Sequence, residues 1–95
     1  MLTGKQRRWL RGMAHDLHPV LQIGQHGLTD AVVLEAEQQL TAHELIKVRM
    51  RGAEDSKALG EQLAAALGAE LCGTIGRTAI LYRAHPDAPR ITLPR

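Results

Sequence analysis

The residues best suited to chemistry in this chain are Gly24-Gln25-His26-Gly27, a GxxG between the apolar run Val20 to Ile23 and a helix start at Leu28-Thr29-Asp30. Two glycines remove side chains where another backbone must come close. The first N–H groups of the new helix lack internal partners, and the helix dipole favours an anion there. A nucleic-acid phosphate fits that description, as it does in GxxG loops that clamp backbone nucleotides. The plain alternative is a tight turn that needs its glycines. Lys5, Arg7, Arg8 and Arg11 crowd four cations into seven residues with no acid before Asp16, which points to a polyanionic partner. A merely solvated helix face would mix Glu with the Lys and Arg. Lys47, Arg49 and Arg51 offer a second cationic strip, opposed by the acidic middle of the chain, and Arg77 at a hairpin tip can touch phosphate. A second GxxG, Gly73 to Gly76, lies inside that hairpin and reads as structural.

Other chemistries have little support. His15 and His18 flank Asp16 and His43 lies elsewhere, but Pro19 disturbs any shared ligand geometry and there is no HExxH or CxxC. Cys72 falls in the middle of a strand pattern with no cluster of bases to activate it, so it reads as a small buried apolar residue. No nucleophile-base pair and no paired carboxylates stand out. The expectation is a non-enzymatic protein with no cofactor, no metal and no small-molecule substrate.

The elements that hold these residues must fit within 95 residues, the size of one domain. Hydrophobic residues reach 44% while aromatics are 2%, so the core is aliphatic and a ring platform for stacking bases is missing. Recognition of a nucleic acid is then expected to run through backbone and shape. The net charge of +2 divides unevenly: Met1 to Leu28 carries +3, Thr29 to Glu70 carries −4 and Leu71 to Arg95 carries +3. A lone cysteine excludes an internal disulfide framework, and no apolar run approaches a membrane span. The expected location is the cytoplasm, with no membrane partner.

Thr3 can cap a first helix reaching Met13 or Ala14, with Trp9, Leu10, Met13 and Leu17 as its apolar stripe. Val20 to Ile23 predicts a short buried strand. Thr29 caps a second helix whose inward face is Val33, Ala36 and Leu40. Leu45 to Arg51 alternates, with Ile46, Val48 and Met50 facing one way and Lys47, Arg49 and Arg51 the other. Asp55 or Ser56 opens a third helix along Leu59, Leu63, Ala66 and Leu67, which Gly68 stops. Glu70 to Ile75 and Thr78 to Arg83 form a hairpin around Gly76-Arg77. The expected fold class is α/β: a single αβαβαββ domain with a four-stranded mixed sheet, helices packed on it and part of one face open. Residues 1–84 make the domain, and 85–95, with three prolines, an irregular tail.

LTGKQRRWLRGMAHDLHPVLQIGQHGLTDAVV, HELIKVRM, IGRTAILYR and ITLPR, in that order and spacing, resemble the YhbY-type RNA-binding proteins, the stand-alone bacterial form of the CRM domain. The resemblance covers most of the chain; Arg51 to Glu70 adds little. It implies a fold similar to the C-terminal domain of translation initiation factor three, with the Gly24 to Gly27 loop as an RNA contact and Lys5, Arg7, Arg8 and Arg11 nearby. It also implies a partner in structured, ribosomal RNA within precursors of the large ribosomal subunit, and hence a role in ribosome assembly. A different reading of the same residues is a protein-protein adaptor that uses the acidic helices and the open sheet face.

Overall fold

A computed structural model describes residues 2–52 and 55–95. The elements are α1 (Gly4–Ala14), β1 (Leu21–Ile23), α2 (Asp30–His43), β2 (Leu45–Met50), α3 (Ser56–Leu67), β3 (Glu70–Ile75) and β4 (Thr78–Tyr82). Each helix begins where a short polar side chain takes over an orphan N–H. Thr3 Oγ1 accepts from Gln6 N at 3.1 Å while Gln6 Oε1 accepts from Thr3 N at 3.0 Å, a reciprocal capping box. Thr29 accepts from Val32 N, and Asp55 accepts from Ala58 N. α3 ends at Gly68 in the left-handed conformation, φ +62°.

The sheet order is β1-β2-β4-β3. β1 runs parallel to β2 across α2, as the strand-helix-strand pattern predicts. β3 also runs parallel in direction to β2, but the hairpin folds β4 into the place between them, so both neighbours of β4 are antiparallel to it.

α2 and α3 cover one face, where Ile23, Ile46, Val48, Met50, Leu63, Ala79 and Leu81 form the main core with Ala36 and Leu40. On the other face α1 and the C-terminal segment enclose Leu2, Leu10, Ala14, Leu45, Cys72, Ile80 and Tyr82. Beyond the end of α1 that face is open: Gln22, Arg49 and Ile75 are exposed and Thr78 is half-buried.

Three details differ from the sequence pattern. α1 buries only Leu10 and Ala14, while Trp9, Met13 and Leu17 stand 37 to 43% exposed. The helix lies across β3, β4 and β2, and side chains one position away, about 100° around the helix, point away from the sheet. β1 is an edge strand that buries Leu21 and Ile23 on one face only, and Val20 before it is exposed. In α3 Gly60, Leu63, Ala64 and Leu67 face inward and Ala66 is exposed.

The segment after β4 is irregular, as its prolines predict, but it is firmly held. Glu44, completely buried at the end of α2, accepts from the backbone N–H groups of His85 (2.7 Å), Arg90 (2.9 Å) and Ile91 (3.1 Å). Ile91 and Leu93 then pack on the α1-side core. Lys5 Nζ donates to the Arg95 carbonyl at 2.9 Å and Gln6 Nε2 to the Pro94 carbonyl at 3.0 Å, tying the last residues to α1.

Candidate nucleic-acid interface

The Gly24–Gly27 loop is a turn closed by Gly27 N donating to the Gly24 carbonyl at 3.1 Å. Gly27 has φ +70°, where a side chain is strained. Gly24 differs: a Cβ there meets nothing within 4 Å, so the fold itself does not require a glycine. Gly24, Gln25 and His26 are exposed, and the first turn of α2 follows directly. Asp30 opens that turn and offsets part of the positive helix end.

Cations reach this loop through the sheet. Arg51 N donates to the Ile23 carbonyl at 2.8 Å, so the end of β2 lies against the residue that precedes Gly24. Met50 N donates to the Arg77 carbonyl at 2.7 Å, which brings the β3–β4 turn to the same sheet end. Arg49, Arg51 and Arg77 are all exposed. Gln22, Arg49 and Thr78 are register partners in one row, on the face that α1 leaves open.

α1 is placed differently from what adjacency in sequence implies. It packs on β3, β2 and β4, with its basic first turns beside β3, the edge strand opposite β1. Arg7 donates to the Leu2 carbonyl at 3.0 Å and lies 4.0 Å from Glu70, level with the start of β3. Arg11 Nη1 donates to the Cys72 carbonyl at 2.7 Å, level with its middle. Lys5 holds the C-terminal carbonyl, as described above. Arg8 is exposed and has no ion pair or hydrogen bond among the described residues. The structure therefore gathers Gly24, Gln25, His26, Gly27 and Arg77 at one sheet end, and leaves Lys5, Arg7, Arg8 and Arg11 along a separate edge.

Lys47 leaves the cationic strip for a structural task, donating from Nζ to the carbonyls of His15 (3.3 Å) and Leu17 (3.0 Å) beyond the end of α1. Arg49 and Arg51, the rest of that strip, are the cations that the fold delivers to the loop. The signal was present in the alternation of Leu45 to Arg51 together with parallel β1–β2 pairing, which sets Gln22 opposite Arg49.

The remaining candidates are quiet. Cys72 is buried at 1% exposure, and burial, followed by the nearby Glu70 charge, pushes its thiol up to about 12, against the smaller opposing pull of Arg11 and Arg7. Such a thiol is protonated and unreactive at neutral pH. Among the described residues no three His, Cys, Asp or Glu side chains gather as a metal site. No described helix is long and apolar enough to cross a membrane.

Comparison with known proteins agrees with this architecture. The chain is 40% identical over 96 residues to the Bacillus subtilis protein named "Probable RNA-binding protein YqeI", covering 99% of this chain and 100% of that one. It is 41% identical to a Haemophilus influenzae protein named "RNA-binding protein", covering 99% and 96%. The solution structure of the Staphylococcus aureus protein SAV1595 superposes with a TM-score of 0.86 at 38% identity, over 99% of this chain and all of that one. Residues 2–83 match the profile of the CRS1 / YhbY (CRM) domain, and with these relatives the chain belongs to that family.

Proposed function

We propose that this chain is a non-enzymatic RNA-binding protein that grips the phosphate backbone of structured RNA at one end of its sheet. The observation that carries this reading is the pair of backbone bonds, Arg51 N to Ile23 O and Met50 N to Arg77 O, that converge the GxxG loop with three exposed arginines. Gly24 leaves room for a phosphate, Gln25 and His26 offer backbone donors, and Arg49, Arg51 and Arg77 supply charge. Lys5, Arg7, Arg8 and Arg11 extend the contact along the far edge. Arg7 and Arg11 spend one or two guanidinium donors on the fold and keep the others, since each carries five. The names of the relatives, which describe RNA-binding proteins, support RNA as the polyanion.

The RNA in this reading is ribosomal, in precursors of the large subunit within the cytoplasm, and the support for that step is the family resemblance of the sequence.

The test is a salt titration. Binding of the full chain to a structured large-subunit RNA fragment falls steeply as salt rises, with a log-log slope that shrinks by about one for each phosphate contact removed. R49A and R51A each reduce the slope and weaken binding to all sequences alike. R7A, whose side chain is spent partly on Leu2 and Glu70, changes it less. A slope unaffected by R49A, R51A and R77A together overturns the assignment of the sheet end. Crosslinking followed by sequencing of the bound RNA tests the ribosomal partner.

A further inference from the structure

The same face carries a second concavity at the opposite end of β1. It has a volume of about 440 Å³ and is lined by Met13, Leu17, His18, Val20, His43 and Leu45, among others. Met13, Leu17 and Val20 are among the few large apolar side chains this protein exposes. We infer that this groove is a pocket for an unstacked nucleobase of the bound RNA, an inference that rests on the RNA-binding reading above.

Four observations point to a base. The size and lining are those of a small-molecule site, with mostly apolar walls and a few polar groups. The lining contains no acid to repel a polyanion, and its polar members are two imidazoles, His18 and His43, rings on which bases stack. The groove is continuous with the proposed phosphate contacts: Val20 N donates to the Lys47 carbonyl at 3.0 Å, two residues before the Gln22 and Arg49 pair. From Val20 to Gly24 is about 13 Å of extended chain. Finally, the groove sits where β1 has not yet begun. Leu45 and Ile46 therefore have no register partner on that side of β2. A protein partner is less well served, because a stable protein interface buries about 800 Å² on each side. The exposed apolar surface here is one narrow stripe.

The experiment uses the full chain and the single-stranded octamers A8, U8 and C8, with an abasic octamer that keeps the phosphates and lacks the bases. The groove methyls of Leu17, Val20 and Leu45 and the ring protons of His18 and His43 are followed by NMR. At least one base-bearing octamer is expected to shift them, and the abasic octamer to shift only the loop and the arginine rows. The H18A/H43A double variant alters two exposed side chains. It is expected to weaken binding of that octamer about tenfold, the size of one lost stacking contact. The salt slope stays unchanged. Groove shifts that are absent, or equal with the abasic strand, overturn the pocket while shifts at Gly24, Arg49 and Arg77 leave the RNA-binding reading standing. No shift anywhere with any octamer or with structured ribosomal RNA overturns both. A groove that responds to an apolar peptide and to no octamer is a protein-docking site, which also overturns the proposal.

Discussion

The side chain of Arg11 lies across Gly73 and donates to the carbonyl of the preceding residue, Cys72, at 2.7 Å. A Cβ added at Gly73 would stand 2.7 Å from Arg11 Cδ, so the arginine and the glycine fix each other. Gly73 also follows the irregularity in β3, where the register slips between Leu71 and Gly73 and leaves Cys72 as the extra residue. G73A is therefore expected to drive Arg11 off its acceptor at a cost of about 1–3 kcal/mol. Urea denaturation measures that loss. R11A and G73A together should cost less than the sum of the two single variants, because either one already breaks the contact.

Glu44 joins the end of α2 to the C-terminal segment through three backbone donors. Burial alone raises its carboxyl pKa, but the N–H groups of His85, Arg90 and Ile91, with the Arg90 charge, outweigh it and hold the carboxyl below its ordinary 4.5. A folded value below the unfolded one means a stabilising contribution that is present above about pH 4.5 and is lost as the pH falls through the depressed value. E44Q keeps the shape and removes the charge, leaving an amide NH₂ facing an N–H. It is expected to destabilise the fold by about 2 kcal/mol at pH 7. Denaturation at a series of pH values should show the gap between E44Q and the native chain narrowing below pH 4.5. Hydrogen exchange at Arg90 and Ile91 should quicken in the variant.

What the sequence makes legible follows the range of the interactions involved. The caps at Thr3, Thr29 and Asp55, the stop at Gly68 and the alternation of β2 are local, and each appears in the structure as the pattern predicts. The position of β4 between β2 and β3 is a long-range choice that strand order along the chain does not encode. The same holds for α1. Its basic residues neighbour the GxxG loop in sequence, but the helix crosses to β3 because Leu10 and Ala14 need the surface around Cys72 and Ile80. The clasp at Glu44 had no usable signal: a buried glutamate with φ +65° looks like any exposed charge at a helix end until its partners, more than 40 residues away, are known. The structural task of Lys47 is hidden for the same reason, since its acceptors at His15 and Leu17 are about 30 residues distant.

Cys72 provides a probe of opening that does not perturb the fold. With its thiol pushed up to about 12 by burial and by Glu70, the reactive thiolate is depleted at neutral pH by about a thousandfold relative to a free cysteine. Reaction of the folded protein with a thiol reagent is expected to be slower by at least that factor, and to reach the free rate in urea. Because Cys72 sits beneath α1, R11A should speed the reaction if α1 detaches before the rest of the sheet unfolds. Equal rates in R11A and the native chain, after correction for global stability, would show that α1 and the sheet open together.

The two glycines of the loop separate a structural from a functional requirement. Gly27 holds φ +70°, so G27A is expected to cost about 1 kcal/mol and to lower the melting temperature by about 4–8 °C. Gly24 faces open space, and G24A should leave stability within about 0.5 kcal/mol of the native chain. If the loop receives a phosphate, the order reverses for RNA. A methyl at position 24 enters the space the phosphate would occupy, and G24D adds a charge that repels it. G24D is then expected to weaken binding to a large-subunit RNA fragment at least tenfold with the melting temperature unchanged. G27N, which tolerates the left-handed conformation, should retain both stability and binding. Native affinity in G24D would reduce the GxxG to a turn and move the RNA contact away from this end of the sheet.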